Sequence, residues 1–285
     1  MTAQLLDGEQ VAAQIRAGLA ERVAALATRG ITPGLGTLLV GDDGPSARYV
    51  AMKHQDCAEI GISSVHAHLP ADASQEEVLT MVDRFNDDPS VDAYLLQYPF
   101  PAGFDYAVAL GRVRPAKDVD GLHPVNLGRL LMGESGPRPC TPVGIVELLA
   151  AYGIEVAGRH VVVVGRGLTI GRPLAALLSL KEPRGNAAVT VVHTGFADPA
   201  ALIRQGDIVI AAAGSPGLIR ADMVKPGAVV VGAGVSFEGK KLLSDLAEDV
   251  AEVAAWITPR IGGVGPMTRA MLLRNCVEAA EAAAT

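Results

Sequence analysis

Val161-Val162-Val163-Val164 runs straight into Gly165-Arg166-Gly167-Leu168-Thr169-Ile170-Gly171-Arg172-Pro173. An unbroken apolar run of this length predicts a strand buried on both faces of a parallel sheet. Glycines after such a strand let the backbone approach a ligand. If a helix follows, its first N–H groups are left to hold phosphate. A glycine loop alone can be a simple turn. Here a helix is expected over residues 172–181, with strands at 188–193, 207–211 and 228–231. That succession is a doubly wound, Rossmann-like nucleotide-binding pattern, which favours nucleotide over a bare turn.

Enough chain lies upstream of the loop for a domain of its own. Val11, Ile15, Leu19, Val23 and Leu26 recur at helical spacing, and Gly30 ends that helix. Residues 36–40 and 62–69 read as strands. Between them, Ser46 is the expected N-cap of a helix that runs to Ile60 and closes at Gly61. Ser74 with Glu77 is a capping-box start for a helix to about Phe85, and Ala93–Leu96 is a short strand stopped by Pro99 and Pro101. Residues 114–142, rich in Pro, Gly and Asp, are expected to contain the hinge. A helix follows from Pro142 to Tyr152, and a last one spans Met267–Ala284. The fold class is α/β, as two α/β domains.

Bulk composition limits the function. The 285 residues are 49% hydrophobic and 19% charged, enough for large cores and unlike a disordered chain. A net charge of −7 argues against nucleic acid as a partner. No apolar stretch is long enough to span a bilayer, and residues 1–8 carry no basic, then apolar, signal segment. Cys57, Cys140 and Cys276 match no zinc spacing. Their odd number argues against a secreted disulfide framework, so they read as buried small hydrophobes. A cytoplasmic protein without a membrane anchor or a metal is the expectation.

The residues that carry chemistry each have a competing bland reading. Tyr49 and Lys53 stand at i and i+4, on one helix face. A phenol beside an ammonium suits acid/base work, though an incidental pair on a half-exposed face has the same spacing. Short-chain dehydrogenases share a Tyr-x-x-x-Lys spacing, but there it follows the nucleotide loop. Gln97 ends a strand, where α/β ligand crevices lie, or is a polar strand cap. Lys117-Asp118-Val119-Asp120-Gly121 is an acidic turn: a solvated loop, or a carboxylate that accepts from a donor-rich heterocycle. Gly262-Gly263-Val264-Gly265 is a linker or, given its apolar neighbours, a tightly packed loop. The second nucleotide-domain strand ends His193-Thr194-Gly195 with no acid to meet a ribose 2′-hydroxyl. Arg166 in the loop suits a 2′-phosphate, so NADP is favoured over NAD. His193 itself is a ligand contact or a neutral strand-end histidine.

Together these segments resemble the bifunctional methylenetetrahydrofolate dehydrogenase/cyclohydrolase family, in order and over nearly the whole chain. The carriers are Ser46-Ala47-Arg48-Tyr49-Val50-Ala51-Met52-Lys53, Leu95-Leu96-Gln97-Tyr98-Pro99, Lys117–Gly121, and Pro139-Cys140-Thr141-Pro142. They continue with the glycine loop, Ile257-Thr258-Pro259, and Gly262-Gly263-Val264-Gly265-Pro266-Met267-Thr268. The resemblance implies a homodimeric enzyme acting on tetrahydrofolate derivatives. It would oxidise 5,10-methylenetetrahydrofolate with NADP and hydrolyse the methenyl product to 10-formyltetrahydrofolate.

It also implies a folate-binding catalytic domain over residues 1–140, with the final helix 267–285 packing back on it. An NADP-binding domain would span residues 141–266, with the catalytic cleft between the two. Lys53, Tyr49 and Gln97 would be catalytic. Tyr49, Asp120, Gly262 and Gly263 would contact the substrate. Gly165, Arg166, Gly167, Gly171, His193, Thr194 and Val235 would contact the cofactor.

The chain departs from the family at several places. Gly167 and Thr194 each stand where serine is usual, Gly232 where aspartate is, and Ser236 where asparagine is. Arg260-Ile261 replace Val-Pro. These bear on cofactor affinity and on the ratio of the two activities. A shikimate-type dehydrogenase also places its substrate domain first, but Tyr49–Lys53 and the Gly262 loop disfavour it. A nucleotide-binding regulator without catalysis is disfavoured by the intact side chains.

Overall fold

The computed structural model describes residues 3–239 and 241–284. In chain order the elements are β1 (Gln4–Leu5), α1 (Gly8–Ala27), β2 (Gly34–Val40), α2 (Gly44–Ile60), β3 (Ser63–Leu69), α3 (Gln75–Asp87), β4 (Ala93–Leu96) and α4 (Tyr106–Arg112). Then come α5 (Pro124–Met132), α6 (Cys140–Ala151), β5 (His160–Val164), α7 (Gly171–Ser179), β6 (Ala188–Val192), α8 (Pro199–Ile203) and β7 (Ile208–Ala211). The last are β8 (Val229–Gly232), β9 (Val235–Glu238), β10 (Lys241–Ser244), β11 (Trp256–Ile257) and α9 (Val264–Ala283). The chain forms two compact α/β units. One gathers the segment up to Ala12, residues 130–134 and residues 141–268. The other gathers residues 13–129, 135–140 and the chain from Arg269 on.

The first unit holds a six-stranded parallel sheet in the order β1-β11-β8-β7-β5-β6. Val161, Val162 and Val163 of β5 are fully buried, as the four-valine run predicts. Strand β6 lies on one side of β5 and β7 on the other. The strand order therefore reverses at β5, and the crevice beyond its C-terminal end is where such sheets bind ligands. The glycine loop sits at that end. β9 and β10 form a separate antiparallel hairpin.

The second unit holds a three-stranded parallel sheet, β3-β2-β4, with every residue of the central β2 buried. Leu38, Val40, Val78, Val82, Phe85, Tyr94 and Leu96 form its core. α3 starts with the expected capping box: the Ser74 side chain accepts from Glu77 N while Glu77 reaches back to Ser74 N.

Two expectations need correction, and one stretch is more ordered than its composition suggests. The cap of α2 is Asp43, not Ser46: Asp43 Oδ2 accepts from Ser46 N at 2.9 Å, and Gly44-Pro45 make the first turn. Residues 114–142, where composition places the hinge, hold regular structure. They contain a 3₁₀ turn at Pro115–Lys117, all of α5 and the start of α6. The His123 ring accepts from Val125 N at 3.1 Å, an N-terminal cap that composition does not announce. Finally, α9 begins at Val264, inside the glycine-rich loop, rather than at Met267.

Candidate active site

Lys53 projects from α2 and is 6% exposed. Its ammonium donates to Gln97 Oε1 at 3.0 Å and lies 5.7 Å from the centroid of the Tyr49 ring, within cation–π range. Gln97, just past β4, is fixed twice. Its backbone N–H bonds Leu38 O at 2.8 Å, and its Nε2 donates to Tyr98 O at 2.9 Å. The second bond orients the amide so that its oxygen, not its nitrogen, faces Lys53.

The Lys117–Gly121 segment runs beside β4 through a bridge between Asp118 and Tyr94. Its two carboxylates have different jobs. Buried Asp118 accepts from His123 N and Asn126 Nδ2, both at 2.8 Å, and so holds the start of α5. Asp120 is half-buried and interacts electrostatically with Lys53. Gly121 has φ +70°, and a Cβ there would strike the Arg138 carbonyl, so only glycine fits.

Burial pushes the Lys53 pKa down, while Asp120, Cys140 and Cys57 oppose the fall and Arg269 adds to it. Burial pushes Asp120 up, against the pull of Lys53. Burial also raises Tyr49, against Arg269. The amine thus gives up its proton more readily than an ordinary lysine, beside a carboxyl that holds one more readily. Tyr49, Lys53, Gln97 and Asp120 form one cluster within the second unit.

Sequence reasoning missed three contributors to this cluster. Asn275 of α9 donates to Val119 O at 2.8 Å and to Arg138 O at 3.0 Å, which clamps the Asp120 loop. Asp56 and Arg269 pair beside Tyr49. No local signal marks any of them, because each works through a partner far away in the chain.

The nucleotide residues lie in the first unit. Gly165 has φ +120°, and a Cβ there would strike the Ala212 carbonyl. A Cβ on Gly171 would strike the Gly165 carbonyl. Gly167 differs: its backbone is not left-handed and nothing stands within 4 Å of a Cβ. α7 starts at Gly171 with no side-chain cap from Ile170, but Arg172 N donates to Gly167 O at 3.2 Å and Pro173 has no N–H, so the helix end itself offers an anion little. Arg166 Nη1 lies 3.3 Å from His193 Nε2, while His193 Nδ1 accepts from Gly195 N at 3.0 Å. The Arg166 guanidinium, beside the His193 ring, supplies N–H donors that a phosphate oxygen accepts from.

Thr194 is exposed at the same strand end, and Val235, 49% exposed, opens β9. The loop after β7 is held by fully buried Asp245, which accepts from Ala213 N, Gly214 N and Ser215 N at 2.7, 3.0 and 2.7 Å. These residues fit a phosphate-bearing dinucleotide. Gly262 and Gly263 also belong to this unit. Gly262 O accepts from Glu9 N at 3.0 Å, and a Cβ on Gly8 would strike the Gly263 carbonyl. The glycine run is a tightly packed loop.

Residues 6–120 match the catalytic domain of the tetrahydrofolate dehydrogenase/cyclohydrolase family, and residues 139–284 match its NAD(P)-binding domain. The chain belongs to this family. A relative described as bifunctional protein FolD, from Syntrophotalea carbinolica, is 59% identical over 281 residues, covering 99% of this chain and 97% of its own. Among solved structures, the bifunctional FolD methylenetetrahydrofolate dehydrogenase/cyclohydrolase of Campylobacter jejuni is 40% identical. It superposes with a TM-score of 0.94 over 99% of each chain. The N5,N10-methylenetetrahydrofolate dehydrogenase-cyclohydrolase of Trypanosoma brucei, solved with NADP and an inhibitor, is 38% identical. Its TM-score is 0.93 over 100% of this chain and 99% of its own. The dehydrogenase/cyclohydrolase fold therefore accounts for both units.

Proposed function

We propose that this chain is a bifunctional enzyme of folate one-carbon metabolism in which Lys53 is the central group of the hydrolytic step. It oxidises 5,10-methylenetetrahydrofolate to 5,10-methenyltetrahydrofolate with NADP, then hydrolyses the product to 10-formyltetrahydrofolate. The observation that carries the Lys53 role is its buried amine, 3.0 Å from a Gln97 oxygen whose orientation a second hydrogen bond fixes.

NADP, when bound, would supply the hydride acceptor for the oxidation. The residues that would hold it are Gly165, Arg166, Gly167, Gly171, His193, Thr194 and Val235. The glycine loop would let the backbone come close to phosphate, and the Arg166 guanidinium beside His193 would pair with a phosphate. Positioning is the protein's main contribution to that step.

Hydrolysis asks more of side chains. Water adds to the methenyl carbon and loses one proton, leaving a hydroxyl on that carbon; the bond from the carbon to N5 then breaks as N5 takes up a proton and the hydroxyl gives up its own to become the formyl C=O on N10. Lys53 in its neutral form takes the water's proton, held in place by Gln97 and Tyr49. Tyr49 also stacks on the folate, and Asp120 accepts from its pterin N–H groups. Asn275 keeps the Asp120 loop in register for that contact.

The enzyme works as a homodimer in the cytoplasm. The buried free thiols of Cys57, Cys140 and Cys276 support a reducing compartment. Among the described residues no helix is long and apolar enough to cross a membrane. Sedimentation equilibrium tests the dimer, and a single-chain mass would contradict it. Lys53→Met tests the central role: hydrolysis is lost while NADP affinity stays near that of the parent, and surviving hydrolysis would refute it.

A further inference from the structure

The α2 face that carries Tyr49 and Lys53 carries a third ionisable group. Asp56 stands three residues after Lys53 and seven after Tyr49, so all three share one side of the helix. Arg269, from the part of α9 that belongs to this unit, reaches the same side. Its Nη1 lies 3.2 Å from Asp56 Oδ1 and 3.0 Å from Oδ2, with the two side chains 14% and 7% exposed. A buried ion pair is a poor way to hold two helices together. The cost of taking both charges out of water roughly cancels their attraction, and apolar side chains of similar size pack at least as well. Helix packing alone leaves this pair unexplained, but its neighbours do not. The guanidinium acts electrostatically on both Tyr49 and Lys53.

We propose that Arg269 is a positioning residue for the hydrolytic step: anchored by Asp56, its guanidinium is a fixed positive charge on the Tyr49–Lys53 face and extends to lower pH the range over which hydrolysis runs. It rests on the Lys53 role proposed above.

The sign follows from the groups that face the amine. Tyr49, His54 and Cys57 come from α2, Gln97 from the end of β4, Asp120 from the loop beside it, Cys140 from the start of α6, and Arg269 from α9. Asp120 and the two thiols favour the protonated amine, while burial and Arg269 disfavour it. Removing the guanidinium therefore makes Lys53 hold its proton to higher pH. Because neutral Lys53 takes the water's proton, the acidic limb of hydrolysis moves up with it. Asp56 prevents Arg269 from swinging away from a like charge, which is what an unanchored arginine would do.

The test follows methenyltetrahydrofolate hydrolysis against pH in the whole enzyme and in three variants, with thermal melts to check folding. Arg269→Gln should move the acidic limb to higher pH, because a like charge that disfavours the protonated amine is gone. Arg269→Lys keeps a charge and should leave the limb near its original place. Asp56→Asn with Arg269→Gln leaves no lone buried acid, so the shift can be read even if Arg269→Gln folds poorly. A uniform loss of rate with the limb unmoved in both Gln variants would overturn the proposal and leave a structural brace. Lys53→Met separates the two layers. If that variant still hydrolyses, the Lys53 role falls and this proposal with it. If it is dead while the limb stays put in the Gln variants, only the Arg269 proposal falls.

Discussion

A lysine amine taken out of water destabilises a fold unless its surroundings compensate. Lys53 has one fixed oxygen, a ring face and a half-buried acid nearby, and its pKa is still held down by burial. The linkage runs in a known direction. With the folded pKa below the unfolded one, the unfolded chain binds more protons between the two values. Stability therefore rises with pH through that window, and the penalty is fullest below the folded pKa. Lys53→Met should abolish hydrolysis without lowering the melting temperature. Any gain in stability should be largest at neutral pH and shrink towards the ordinary lysine pKa. A melt well below the parent's would mean that the amine is a structural tie.

Gly167 gives a second residue-scale prediction. Its backbone is not left-handed and a Cβ would stand in open space, so Gly167→Ser costs no strain. One added hydrogen bond to phosphate contributes about 0.5–1.5 kcal/mol, so NADP should bind several-fold tighter in a titration. Unchanged affinity would mean that the hydroxyl does not reach phosphate. Helical spacing and a strand end make Tyr49, Lys53 and Gln97 candidates, but only the order of motifs that the chain shares with the family raises them above their ordinary readings. Asp56 and Arg269 were not legible in the sequence, since 213 positions separate them and only the packing of α2 with α9 pairs them.

Among elements, the glycine loop and the loop after β7 depend on each other. Gly165 can only be glycine, because its φ is +120° and the Ala212 carbonyl occupies the place of a Cβ. Gly165→Ala should lower stability by about 2 kcal/mol or more and weaken NADP binding, measured by denaturant unfolding and titration. Asp245 accepts three N–H groups from the neighbouring loop. Bonds to a charged acceptor contribute about 1.5–3 kcal/mol each, so Asp245→Asn should raise the KM for NADP about tenfold or more. Methenyl hydrolysis, which uses no nucleotide, should be retained. Equal loss of both activities would show general unfolding instead.

The strands of both sheets were legible where apolar runs were long: β2, β4, β5, β7 and β8 lie where expected. The two-residue strands β1 and β11 and the β9–β10 hairpin were not. β1 and β11 are too short for a period, and β9 and β10 have no long unbroken apolar run, so pairing alone defines them. Helix α5 was hidden by Pro and Gly density and a histidine cap.

At the scale of the whole molecule, motif order carried more than any single motif. The acid/base pair on α2, the strand-end glutamine, the acidic turn, the nucleotide loop and the final glycine run come in one order along the chain. Each alone has an ordinary alternative, but together they resemble the family to which the chain belongs. Net charge argues against a nucleic-acid partner but does not choose among enzymes.

The departures at Gly167, Thr194, Gly232, Ser236, Arg260 and Ile261 all fall in the nucleotide-binding unit. At Gly232 a Cβ would come within 3.0 Å of Ser244 Oγ and 3.1 Å of Leu246, so the usual aspartate would need those neighbours to shift. The cluster around Lys53 keeps its residues. The changes should therefore tune oxidation against hydrolysis without removing either.

One coupled assay tests the central claim most directly. Parent enzyme and Lys53→Met are each mixed with 5,10-methylenetetrahydrofolate and NADP, and NADPH formation and methenyl absorbance are followed together. The parent should form NADPH while methenyl rises only briefly and decays to 10-formyltetrahydrofolate. In the variant any methenyl, whether formed in the reaction or added directly, should persist at its non-enzymatic rate of decay. No NADPH from the parent, or enzymatic decay of methenyl in Lys53→Met, would contradict the account.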